Sequence, residues 1–187
     1  EFAAARPAAE PRWLAGRREA AIARFRETGL PSVRDEDWRQ TPVGPIARTA
    51  FTLAPAVDRI PDAALGRLAF DGAFAGRQVV LVNGRFVPGL SSLERTEGVR
   101  VESLSAALAR DPAALEGRLG SVLRDANPFA TLNTAFLADG ALITVAPGAA
   151  VAEPIHVLHY SAPGAAPAAS HPRVLVLGGR ASQATLV

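Results

Sequence analysis

Apolar residues recur along this chain in two rhythms, and the change from one to the other near Gly140 divides it. From Pro11 to Thr28, Leu14, Ala21, Ile22 and Phe25 fall on one stripe at helical spacing. Pro11, after Glu10, suits a first helical position, and Gly29 followed by Pro31 marks the stop. The proline-rich stretch from Pro31 to Pro61 predicts short helices and turns, with Trp38 as the anchor. Val79–Val82 and Arg85–Val87 flank Asn83-Gly84, a dipeptide suited to a two-residue hairpin turn. Val99–Glu102 is a third strand, after which Ser103 or Ser105 caps a short helix. Asp111-Pro112 opens another helix, with Leu115, Leu119 and Val122 on one face. Asn127-Pro128 opens a third, where Phe129, Leu132 and Phe136 share a face until Asp139-Gly140 ends it.

Beyond Gly140 the rhythm becomes one of short apolar runs. Ala141–Val145, Ile155–Tyr160, Val174–Leu177 and Ala184–Val187 read as strands, separated by Gly and Pro and by a loop over residues 161–172. Charge falls away with them. Residues 1–140 carry 18 Arg and 17 acids, whereas residues 141–187 carry only Glu153, Arg173 and Arg180. Strands so poor in charge are expected to be buried on both faces. A β-solenoid fits, and so does a sandwich edge. The last strand meets Val187 without a stop signal, so a solenoid would be cut off there, and its open end is expected to self-associate. The fold class is therefore α+β. A mainly helical region spans residues 1–78, a β-hairpin plus helices residues 79–140, and the first solenoid coils residues 141–187.

Composition narrows the function. Hydrophobic residues make up 49% of the chain, too many for a disordered one, and no apolar run is long enough to span a bilayer. The start is rich in Ala, Pro and Arg without the apolar core of a signal peptide, so a soluble, cytoplasmic chain is expected. All 20 basic residues are Arg, which lifts the pI to about 10.3 although the net charge is only +2. That balance argues against a nucleic-acid-binding arm. With no Cys, there is no thiolate nucleophile and no thiolate ligand for zinc or an iron–sulfur cluster. No cofactor and no bound metal are expected.

Candidate chemistry is thin. His156, His159 and His171 are potential metal ligands, but residues three apart on a strand point to opposite faces. Asp35, Glu36 and Asp37, between Arg34 and Arg39, read as a solvated turn. Ser91, Ser92 and Ser182 lie in no nucleophile elbow, and Gly76, Gly84 and Gly89 form no phosphate loop. No catalytic, cofactor-binding or metal-binding residue emerges, and the chain is not expected to be an enzyme. Trp38 reads as a packing anchor, and Trp38→Ala would cost roughly 3–5 kcal/mol if the ring is fully buried.

Three segments together resemble the SufD family. The first is Asp37-Trp38-Arg39-Gln40-Thr41-Pro42, with Gln40 where the family carries an aromatic residue. The second is Leu132-Asn133-Thr134-Ala135-Phe136, followed by Asp139-Gly140, Pro147-Gly148 and Glu153-Pro154-Ile155-His156. The third is His171-Pro172-Arg173-Val174, running on to Gln183-Ala184-Thr185. The resemblance implies an amino-terminal helical region, then a right-handed parallel β-helix, then a carboxy-terminal helical domain outside this chain. It also implies a non-catalytic scaffold for iron–sulfur cluster assembly, with SufB and the SufC ATPase as partners. The residues facing SufB and SufC would lie in that outside part. A SufB-like paralogue is the alternative within the family, disfavoured by the Asn133 segment and the absence of Cys. From another class, a carbohydrate-active β-helix enzyme with His156 or His159 in a cleft would need several carboxylates, and residues 141–187 supply only Glu153.

Overall fold

The first helix, α1 (Arg12–Thr28), begins one residue later than the sequence suggests. Pro11 lies just outside it with extended backbone, and its carbonyl accepts from the Leu14 and Ala15 N–H groups. Gly29 ends α1 at φ +68 while donating to the Phe25 carbonyl. A computed structural model describes residue 2 and residues 10–68, 76–92, 96–123 and 127–187. Most of the stretch before Glu10 thus lies outside the described residues.

The proline-rich stretch forms short pieces, as expected: a 3₁₀ turn at Glu36–Trp38, then α2 (Gly44–Arg48), β1 (Thr52–Leu53) and α3 (Asp62–Leu68). The hairpin follows as β2 (Gln78–Val82) and β3 (Arg85–Phe86). Asn83 and Gly84 turn it at φ +48 and +81, the left-handed pair that matches strand twist. Next come β4 (Val99–Ser103), α4 (Leu104–Arg110), α5 (Pro112–Leu115) and α6 (Pro128–Ala135). The Ser103 hydroxyl caps α4 by accepting from the Ala106 N–H at 3.1 Å. Helix α5 is shorter than its apolar face implied. Glu116 is already extended and Gly117 has φ +74, so Leu115 and Leu119 are buried while Val122 is 92% exposed.

The chain ends in β5 (Gly140–Val145), β6 (His156–Tyr160), β7 (Ala168–Ala169) and β8 (Arg173–Gly178). Strand β7 falls inside the stretch expected to be loop, and it pairs in parallel with β1. In one sheet β2 is central, antiparallel to β3 and parallel to β6, from Gln78 opposite His156 to Val82 opposite Tyr160. In another β5 is central, antiparallel to β4 and parallel to β8. Gly140 pairs with Arg173 and Ala150 with Gln183, the same step of 33 residues. Residues 185–187 pair with Ile155 and Val157 without forming a continuous strand.

Between the two larger sheets lie Val79, Leu81, Ala141, Ile143 and Ile155, with Val174 and Leu186 packed on them. The other face of β2, with Leu158 beside Val80 on the paired β6, covers Ile60 and Val87, and the other face of β5 covers Leu104, Leu108 and Leu115. Burial on both faces therefore holds for β2 and β5, as their unbroken apolar sequences require. It fails for the edge strands β6, where His159 is exposed, and β8, where Val176 is 42% exposed.

Candidate functional site

Helix α6 gathers the three distinctive segments of the sequence. Asn127 caps it by accepting from the Ala130 N–H at 2.9 Å, and Pro128 occupies its first turn. One side packs on α1, where Ala21, Ile22 and Ala135 form a small core. Arg18 is fully buried in that interface, and its Nε donates to the Ala135 carbonyl at 2.8 Å. Its Nη1 meets Glu10 Oε2 at 3.0 Å. A guanidinium suits the last turn of a helix, where carbonyls lack partners and the dipole is negative.

Asn133 joins α6 to β8. Its Nδ2 donates to the Pro172 carbonyl at 2.7 Å, while its Oδ1 accepts from Arg173 Nε at 2.8 Å and Nη2 at 2.6 Å. Arg173 Nη2 also donates to Thr134 Oγ1 at 3.1 Å. An amide can donate and accept at once, which neither Asp nor Leu can do. This is why the Asn133-Thr134 pair and the Pro172-Arg173 pair are legible as separate motifs but act as one lock.

The other side of α6 carries Phe129, Leu132 and Phe136, the face expected from the sequence. It lines an open cavity of about 550 Å³ rather than a closed core. Ile46, Phe51 and Leu53 form the facing wall. The His171 imidazole stacks on Phe136, with ring centres 5.1 Å apart and planes inclined by 22°. Burial pushes the His171 pKa below that of a free imidazole, favouring the neutral ring. At the far end Trp38 lies 5.2 Å from the Phe129 ring. Trp38 is half-buried rather than fully buried, so the roughly 3–5 kcal/mol of a fully buried aromatic does not apply to it.

The remaining candidates are dispersed. His156 is buried and His159 exposed, on opposite faces of β6, and His171 stands apart between β7 and β8, stacked on Phe136. Burial also lowers the His156 pKa. Among the described residues no three of His, Cys, Asp and Glu gather in a metal-binding group. Asp35 accepts from the Ser32 N–H and hydroxyl, closing a turn, and Glu36 faces Arg39 at 3.7 Å in solvent. The Ser91 hydroxyl bridges the Val80 N–H and the Val87 carbonyl, and that of Ser182 donates to the Gly179 carbonyl. These are structural roles. Arg18 was hidden by its charge, although its place between Leu14 and Ile22 on the buried stripe was a signal for it.

The family model for the SufBD protein N-terminal region matches residues 7–157. The chain belongs to the SufBD family. This SufBD chain is also similar to an iron–sulfur cluster assembly SufBD family protein of Synechocystis, 27% identical over 174 residues. Those residues are 92% of this chain and 38% of the relative, so the chain spans well under half of that protein's length. The family match ends within β6, and the Asn133 lock joins a matched segment to the unmatched Pro172-Arg173 beyond it. No helix among the described residues is long and apolar enough to cross a membrane.

Proposed function

We propose that this SufBD chain is part of a non-catalytic scaffold for iron–sulfur cluster assembly, of the SufD type, working in the cytoplasm with SufB and the SufC ATPase. Family membership carries the proposal. Iron and sulfide would be cargo of the assembled complex rather than ligands of this region, which has no thiolate and whose histidines point apart. The repeated step from Gly140 to Arg173 and from Ala150 to Gln183 supports β5 and β8 as successive coils of a parallel β-helix.

The intact protein, co-expressed with its cognate SufB and SufC, should co-purify with both. The 187-residue chain should not capture SufC, nor retain iron through gel filtration after anaerobic reconstitution. Micromolar capture of SufC by the 187-residue chain would place a docking surface in this region. Stoichiometric iron lost on His156→Ala would make the region a cluster ligand.

The 187-residue chain is also expected to self-associate through the outer edge of β8. Strand β8 is an edge strand with Val176 exposed, and Arg180 is the only charge between it and Val187. Light scattering across a concentration series should show dimers, and Val176→Lys should return monomers. A monomer at every concentration rules this pairing out.

A further inference from the structure

We propose that residues 32–56 form a strap that releases from the body as a unit and uncovers the aromatic wall of α6. Three observations carry this. The first is burial. Within the strap only Val43 is buried, whereas Pro31 before it and Ile60 after it are fixed in the body. The second is hydrogen bonding. The Trp38, Thr41, Ala47 and Thr49 N–H groups all donate to carbonyls within the strap, so its turns persist wherever it lies. To the body, among the described residues, it makes one short run of bonds: the Thr52 N–H and hydroxyl to the Pro167 carbonyl at 3.1 and 3.4 Å, Ala54 N–H to the Ala169 carbonyl at 2.9 Å, and Asn83 Nδ2 to the Pro55 carbonyl at 3.0 Å.

The third is the space beneath. The cavity of about 550 Å³ lies between the strap, through Ile46, Phe51 and Leu53, and the wall of Phe129, Phe136 and His171. Trp38 touches the Phe129 ring at one end, but over the rest of its length the strap spans a void where a well-packed interior would put contacts, and dispersion between the two walls is forfeited there. The only ion pair of the strap among the described residues, Arg39–Glu36, is internal. A segment with few buried apolar groups and few bonds to its surroundings opens at a free energy below that of global unfolding. Buried Pro31 anchors the strap on one side and buried Ile60 on the other, so the opening is confined to the residues between them. Release opens the cavity side of Phe129 and Leu132 to solvent, while His171 stays stacked on Phe136.

Native-state hydrogen exchange of the 187-residue chain tests this. The Thr52 and Ala54 amides should exchange together, roughly 100-fold or more faster than those of Val80 and Leu81 in β2, and with little dependence on dilute urea. Trypsin should cut after Arg34, Arg39 or Arg48 while β2 stays protected. The chain has no Cys, so the double variant Thr52→Cys/Ala168→Cys offers a clean lock across the β1–β7 register. Oxidation should slow both exchange and cleavage to the rate of β2, and reduction should restore them. Thr52 and Ala54 protected as strongly as β2 in the parent chain would overturn the proposal. So would cleavage in the strap that the oxidised lock leaves unchanged.

Discussion

Gly140→Ala is expected to destabilise the protein by roughly 3–5 kcal/mol, above the ~1–3 kcal/mol usual for overpacking. Gly140 opens β5 directly opposite Arg173, where the two strands approach too closely for any side chain. A Cβ there would be driven into the Arg173 carbonyl oxygen, well inside van der Waals contact, with the Arg173 carbonyl carbon and nitrogen also within 3.0 Å. All of these are backbone atoms, so no rotamer change relieves the clash. Either β8 moves off β5 or the ladder slips. Gly148→Ala is the control, because its site has open space and its only obstacle is a φ of +73. That should cost about 1 kcal/mol. Urea denaturation of both variants decides it, and equal midpoints would show that the close approach at Gly140 is not a constraint on the fold.

Arg18→Ala is expected to cost about 3–5 kcal/mol, the range for breaking a buried ion pair by removing one partner. The change takes the guanidinium from Glu10, whose side chain is 5% exposed, and the donor from the Ala135 carbonyl. It also leaves a void between α1 and α6 that the small Ala21 and Ala135 cannot fill. Arg18→Met with Glu10→Gln should recover much of the loss, since it restores volume and removes the buried carboxylate. Arg26→Ala, on the exposed side of the same helix, should change stability by less than about 0.5 kcal/mol. If Arg18→Ala matches Arg26→Ala in denaturation midpoint at unchanged slope, Arg18 does not hold α6 in place.

Both effects arise from neighbours remote in sequence, and that separates what was legible from what was not. The hairpin could be read from Asn83-Gly84 because its turn depends on local backbone angles, and β2 and β5 from unbroken apolar runs. The caps at Ser103, Asp111 and Asn127 are likewise local, each side chain bonding an N–H three residues on. The divergence of His156 and His159 followed from strand alternation alone. Helix α5 was overextended because Leu115, Leu119 and Val122 keep helical spacing although the backbone leaves the helix at Glu116. Trp38 packs on Phe129 as a packing anchor should, but an aromatic side chain does not specify how much of its ring is covered, and here it is only half-buried.

The amino-acid sequence by itself determined the local elements, the charge-poor turn toward strands at Gly140, and the three segments that resemble one family. Only the tertiary structure decided that these segments meet on α6, that Arg18 is buried there, and that β1 pairs with β7 more than a hundred residues away. It also decided that the apolar face of α6 borders a cavity instead of a core. The physical reason is range. Turn angles, capping bonds and side-chain periodicity act over a few residues and leave a local signature, whereas the partner of a buried guanidinium or the far wall of a cavity is set by packing between distant stretches of chain.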